Sequence, residues 1–322
     1  MLSPLSVCAI LNPQAGNGRA GLEQSNIEKI LSRYFSKWKI SLTTMPKHAI
    51  ILAKQAAQDG YDIVVAIGGD GSCHEVINGL MQAERKPIFG VIPFGTGGDF
   101  RKSLHIPQDI EKAIQILAHG TDKTIDVGLA EVTIDKNGEL CLDTRYFINV
   151  AGFGANGEVV DKSNRWSKRF GGRITFLNAT VHTTFTYHPP KVQLSWRTCA
   201  TESTPQTWTG EMLSCFIANA TYCGGGMQVA PIDCLGDQQL HLRVLPKMSV
   251  ASQLYNLPKL YNDEIHKLNG TVSTTVTSIE AATTKNTLVQ IDLDGELSGR
   301  LPAKFSLCPK ALIVRGAFAS TT

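Results

Sequence analysis

A chain of 322 residues is long enough for two domains, and its 43% apolar content is ordinary for a globular protein. A net charge of +3 is too small to make nucleic acid the main partner. The eight cysteines form no CxxC pair and do not cluster with histidines at zinc spacing, which argues against a secreted disulfide framework or a zinc site.

The N-terminus MLSPLSVCAILNP lacks the basic region and long apolar core of a signal peptide. No apolar run approaches the roughly 18 residues of a membrane span. The expectation is a soluble cytoplasmic protein that can sit peripherally on a membrane.

In chain order, Val7–Leu11 reads as a strand, Leu22–Trp38 as a helix, Ile40–Leu42 as a strand and Ala49–Gln58 as a helix closed by Gly60. Strand Asp62–Ile67, a helix from Cys73, strand Phe89–Ile92 and a helix over Ile110–Ala118 follow. This alternation predicts an α/β domain with a parallel sheet. After about Thr124 the texture changes. Asp126–Ile134 and Leu140–Val150 flank Asn137-Gly138, a strong hairpin signal. From Val192 onward, Val, Thr, Leu and Ile runs alternate with turns, and only Lys247–Asn269, interrupted by Pro258, suggests a long helix. The expected division is residues 1–125 and an antiparallel β domain over 126–322, the last residues of which can return to the first domain.

Three glycine loops follow strands in the first domain. Asn12-Pro13-Gln14-Ala15-Gly16-Asn17-Gly18 opens the series, and residues 16–21 fit G-x-G-x-x-G. The second strand ends in Thr43-Thr44 rather than in the acid a dinucleotide site requires, so the loop reads as a phosphate loop only. Gly152–Gly157 fits the same pattern by accident. The second loop, Gly68-Gly69-Asp70-Gly71-Ser72-Cys73-His74-Glu75, leads into a helix. There Ser72 and Glu75 read as a capping box, and Cys73 and His74 as structural. Glycines and a helix N-terminus suit phosphate, whereas Asp70 is odd among them. The third loop is Pro93-Phe-Gly95-Thr96-Gly97-Gly98-Asp99-Phe100. Any one could be a simple turn, but three at neighbouring strand ends favour a nucleotide site.

Two features stand in the second half. Lys162, Arg165, Lys168, Arg169 and Arg173 surround Trp166 and Phe170 with no acid between, which reads as a solvated face or a membrane-facing one. Ile291-Asp292-Leu293-Asp294-Gly295-Glu296 would place its three carboxylates on one face if extended. Asp-Gly equally signals a hairpin turn, which the spacing alone favours.

Together these motifs resemble the diacylglycerol kinase catalytic family, which includes bacterial lipid kinases and sphingosine kinases. Asn12-Pro13 with Gly16 resembles NPxxG. Gly68–Ser72 with Glu75 and Asn78 resembles GGDGT-x-x-E-x-x-N, the most specific of the set. Pro93 to Phe100 resembles PxGTxNDF, Gly224–Gly226 with Ala230-Pro231 resembles GGG-x-x-x-AP, and Asp294–Glu296 resembles DGE. The likeness covers nearly the whole chain.

The resemblance implies an α/β nucleotide domain followed by a β-sandwich, with ATP at their cleft. ATP would touch Asn12, Pro13, Gln14, Ala15, Gly16, Thr43, Gly69, Asp70, Gly71, Ser72, Cys73, His74, Glu75 and Thr96. A magnesium site would fall on Asp237 with the carbonyls of Cys234 and Gln239. The proton acceptor would lie in Asp294–Glu296, with Glu296 favoured for its reach. The implied partner is a lipid presented at a membrane surface, and a homodimer is left open.

Three departures stand out: Ser72 for Thr, Gly98 for Asn, and Gly236-Asp237-Gln238 for Asp-Asp-Gly. The nearest rival is a NAD kinase, which shares GGDG but lacks DGE. A phosphofructokinase would need a catalytic loop that Thr124-Ile-Asp126 does not continue. A non-catalytic lipid or nucleotide sensor is the alternative of another class.

Overall fold

The computed structural model describes residues 2–95, 97–165, 172–199, 201–262, 264–285 and 287–319. They form two compact units, one of residues 1–125 with 310–322 and the other of residues 126–309.

The first unit is built on β1 (Ser3–Leu11), α1 (Arg19–Leu22), α2 (Gln24–Tyr34), β2 (Phe35–Leu42), α3 (His48–Gln58), β3 (Ile63–Gly68), α4 (Asp70–Leu80), β4 (Ile88–Pro93), α5 (Asp99–Ser103) and α6 (Ile110–His119). The strands pair in parallel in the order β4-β3-β1-β2. Every residue of β3 is buried, as an all-apolar strand covered on both faces must be. Leu11 lies opposite both Leu42 and Ile67, and Gly68 lies opposite Pro93. That register brings the ends of four strands level, so the loops leave one edge together.

The helix expected over Leu22–Trp38 stops at Tyr34, where Phe35 turns extended (φ −124°, ψ 136°). Trp38, Ile40 and Leu42 alternate with Lys39 and Ser41, and that period of two belongs to a strand. The strand expected at Ile40–Leu42 is present and starts earlier, at Phe35.

The second unit contains β5 (Thr121–Lys136, begun in the first unit), β6 (Glu139–Phe147), β7 (Val150–Gly154), α7 (Ala155–Arg165), α8 (Gly172–Thr186), β8 (Lys191–Arg197), β9 (Gln206–Ala218), β10 (Tyr222–Cys223), β11 (Met227–Gln228), β12 (Leu240–Pro246), α9 (Val250–Asn256), β13 (Val272–Val276), β14 (Ser278–Thr283), β15 (Gln290–Leu293) and β16 (Glu296–Gly316). Pairing here is antiparallel. One layer runs β13-β12-β9-β7-β15-β16, and a second joins β9, β8, β14 and β16. The long strands β9 and β16 pass from one layer to the other and enclose a core that includes Phe147, Phe153, Ile217, Leu242 and Phe305. Asn137 and Gly138 take φ of 56° and 89° between the paired residues Lys136 and Glu139, the two-residue turn their sequence favours.

Helices α7 and α8 were not expected in this half. The sequence of α8, GRITFLNATVHTTFT, is rich in β-branched residues and lacks a clear apolar stripe. Three of its five threonines bond within the helix: Thr180, Thr184 and Thr186 donate to the carbonyls of Phe176, Thr180 and His182. The helix expected somewhere in Lys247–Asn269 shrinks to α9 followed by short 3₁₀ turns at Leu257–Tyr261 and Ile265–Lys267. Among the described residues, no helix is long and apolar enough to cross a membrane.

Candidate functional site

The level strand ends place the three glycine loops against one another within the first unit. The Asn12 amide donates to the Ile67 carbonyl at 3.2 Å, and the Phe94 amide to the Gly68 carbonyl at 2.7 Å. Asn12 Oδ1 accepts the Gln14 amide at 3.0 Å, which shapes the first loop, and Gly16 adopts φ 61° close to the Phe94 carbonyl. Gly95 approaches Gly69 so closely that a Cβ on Gly95 would stand 3.0 Å from the Gly69 Cα. A Cβ on Gly68 would overlap the Ser72 hydroxyl. The glycines are needed because backbones meet here. Thr43, at the end of β2, is tied to the Leu11 carbonyl by its amide at 2.9 Å. Thr96 lies outside the described residues.

Two acids in this region hold neighbouring helices. Helix α4 begins at Asp70, not at Ser72, and the capping box is not formed. Instead the Glu75 carboxylate accepts the amides of Lys47 at 2.9 Å and Ala49 at 3.2 Å, capping α3 from outside. Asp70 Oδ1 accepts the Phe100 amide at 3.1 Å and so caps α5. This accounts for a carboxylate among phosphate-friendly glycines: one oxygen closes the third loop. Gly98, the N-cap of α5, sits at φ 58°, ψ 49°, so the departure from Asn there suits a left-handed backbone. Cys73 and His74 are buried in α4.

In the second unit, the DGE segment is a turn. Leu293 pairs with Glu296 across Asp294 (φ 55°) and Gly295 (φ 84°), so Asp292, Asp294 and Glu296 do not share a face. The Asp294 carboxylate accepts the amides of Ile148 at 3.0 Å, Asn149 at 2.8 Å and Val150 at 3.2 Å, and its own amide returns to the Val150 carbonyl at 2.9 Å. Glu296 is exposed at the start of β16. Gly152 and Gly157, part of the accidental glycine pattern, serve packing: a Cβ would strike Asp292 Oδ2 at 2.6 Å in one case and the Gln290 carbonyl at 2.6 Å in the other.

The expected magnesium ligands do not fit a cation cage. Asp237 gives Oδ1 to the Gln239 amide at 3.0 Å and Oδ2 to His241 Nε2 at 2.8 Å. The Cys234 carbonyl takes the Asp237 amide at 3.1 Å. A hard divalent ion takes about six oxygens, waters included, and here the one carboxylate already has a partner on each oxygen. Among the described residues, no group of three or more His, Cys, Asp or Glu side chains could hold a metal. Of the basic stretch, Lys162 contacts Glu158 at 3.8 Å and donates to the hydroxyls of Thr183 and Thr186, and Arg165 pairs with Asp161 at 2.9 Å. Trp166, Lys168, Arg169 and Phe170 lie outside the described residues, as does the Arg173 side chain.

Sequence reasoning did not single out the buried state of Asp292. Ile291 and Leu293 face the core, while Asp292 is buried on the opposite side of β15, with Oδ2 lacking any hydrogen-bond partner. Burial, reinforced by the Asp294 carboxylate, pushes its carboxyl up to about 8. A raised acid keeps its proton when folded after the unfolded chain has lost it. Stability therefore drains away as pH rises from the ordinary carboxyl range towards 8. Asp292→Asn, which cannot ionise, should show a Tm advantage over wild type that widens between about pH 4 and 8 and then levels off. Thermal unfolding across that range measures it. A gap that stays constant with pH would show that Asp292 is not held protonated.

Residues 6–130 match the diacylglycerol kinase catalytic domain, and residues 149–316 match the YegS C-terminal NAD kinase beta sandwich-like domain. The chain is 29% identical over 264 residues to the diacylglycerol kinase of Bacillus subtilis (strain 168), covering 82% of this chain and 80% of that protein. It is 27% identical over 257 residues to the diacylglycerol kinase of Staphylococcus carnosus (strain TM300), covering 80% and 77%. A crystal structure from Bacillus anthracis str. Sterne, provisionally assigned as a diacylglycerol kinase, superposes with a TM-score of 0.77 at 25% identity, covering 98% of this chain and 96% of that one. With nearly its whole length matched by the two domains of one enzyme type, the chain belongs to the diacylglycerol kinase family and is a lipid kinase.

Proposed function

We propose that this chain transfers the γ-phosphoryl group of ATP, with magnesium, to a primary hydroxyl of a diacylglycerol, phosphatidylglycerol or sphingoid lipid presented at a membrane surface. The observation that carries the reading is the meeting of three glycine loops at the level strand ends of the first unit, around the N-terminus of α4 and Asp70. Backbone amides and a helix N-terminus suit polyphosphate.

The lipid hydroxyl oxygen attacks the γ-phosphorus, the bond to the bridging β-phosphate oxygen breaks, and ADP leaves. The hydroxyl proton goes to a carboxylate. Asp294 and Glu296 stand on one turn, and their surroundings divide the work. Asp294 spends its oxygens on three backbone amides, whereas Glu296 projects from the exposed start of β16. Glu296 is therefore the proton acceptor and Asp294 the anchor of the turn. Magnesium bound with ATP would supply neutralisation of the charge developing on the transferred group.

The direct test is a transfer assay with radiolabelled ATP over a panel of lipids in mixed micelles, with NAD as a soluble control acceptor. Label is expected in at least one lipid and none in NAD; label in NAD alone would overturn the reading. Asp70→Asn is a clean probe of the nucleotide end, because the amide oxygen can still accept from Phe100 while the charge is gone. The variant should fold with wild-type Tm and lose on the order of a hundredfold in kcat/KM. Activity within twofold of wild type would remove Asp70 from the reaction.

A further inference from the structure

The loop between β11 and β12 is strained and yet closed from within. Asp233 and Gln238 adopt φ of 65° and 63°, and Gly236 φ of 87°. A left-handed backbone at two non-glycine positions persists only where the surroundings enforce it. The buried Asp126 gives Oδ2 to the Gln238 amide at 2.6 Å. The Thr221 hydroxyl donates to the Pro231 carbonyl at 2.8 Å. His241, buried in β12 between β9 and β13, brings Nε2 to Asp237 Oδ2 at 2.8 Å.

In a family whose resemblance places a divalent ion on Asp237, that carboxylate is here already engaged on both oxygens. Beside it, where the resemblance implies a second acid, this chain has Gly236. An Nε2–H donates to a carboxylate from the neutral ring as well as from the protonated one, so the contact does not depend on charging the imidazole.

We propose that His241 occupies the position on Asp237 that a divalent cation would take, so that the turn from Cys234 to Gln239 is closed without a resident metal ion. The loop is then held by hydrogen bonds in place of an ion. The inference concerns the folding of the second unit and stands whether or not the catalytic roles assigned above are right.

The test is thermal unfolding of the full, nucleotide-free chain in EDTA and in millimolar MgCl2 or CaCl2, for wild type, Asp237→Asn and His241→Ala. Wild type and Asp237→Asn should show the same divalent-induced shift, within a degree. A shift in wild type that exceeds that of Asp237→Asn by about 2–4 °C would reveal an ion on Asp237 and overturn the proposal. His241→Ala should melt lower than wild type in EDTA and recover part of the loss on adding Mg2+ or Ca2+, because Asp237 is then free to bind. If His241→Ala folds but gains no divalent response, His241 is not standing in a cation's place. If it fails to fold, the comparison of wild type with Asp237→Asn still decides.

Discussion

Three consecutive backbone amides, those of Ile148 and Asn149 between β6 and β7 and of Val150 at the start of β7, are taken up by the Asp294 carboxylate. Buried amides left without acceptors would each cost about 1–3 kcal/mol. The junction is tied on its other side too. The Asn219 side chain donates to the carbonyls of Asp126 and Ile148, and the amides of Asn219 and Ala220 go to the Asn149 carbonyl. The start of β5, the β6–β7 junction, the end of β9 and the β15–β16 turn thus meet at one hydrogen-bonded knot. The position of Glu296 follows from it, because Glu296 is the second residue after the anchored Asp294.

The same knot separates two carboxylates only two residues apart. Asp294 faces backbone donors, whereas Asp292 lies buried with an oxygen unpartnered and its carboxyl pushed up by burial and by Asp294 itself. Acids in contrasting environments take contrasting roles. Here one anchors the turn and the other has its carboxyl held well above the ordinary range, while Glu296 stands exposed at the start of β16, where the proposed proton acceptor would be. In the first unit, register does the corresponding work. Because the strands end level, loops distant in sequence touch through glycines, and Asp70 and Glu75 reach across to cap helices that belong to other loops.

Features set by local pattern could be read from the chain. The all-apolar run of β3, the strand-to-glycine junctions at Leu11, Gly68 and Pro93, and the Asn137-Gly138 turn carry their structure in a few adjacent residues. Where tertiary partners decide, reading failed. Ser72 and Glu75 have the spacing of a capping box, but the acceptor-hungry amides lay at Lys47 and Ala49, far along the chain. Helix α8 defies the strand propensity of its threonines by bonding them to its own carbonyls. Asp294-Gly295, by contrast, forms the hairpin turn that its spacing favours, so the shared face an extended strand would give the carboxylates at 292, 294 and 296 is absent. His241 carried no signal at all, since its partner Asp237 is reached by the fold of a turn with left-handed residues.

The division of labour between Asp294 as anchor and Glu296 as proton acceptor is the centre of this account, and paired kinetics with thermal unfolding test it most directly. Glu296→Gln should lower kcat by about 10²–10⁴-fold while Tm and the ATP KM stay at wild-type values, the mark of a lost general base. Asp294→Asn, which loses one of two acceptor oxygens, should instead lower Tm. A Glu296→Gln variant with full activity, beside an inactive Asp294→Asn of unchanged Tm, would contradict the account and exchange the two roles.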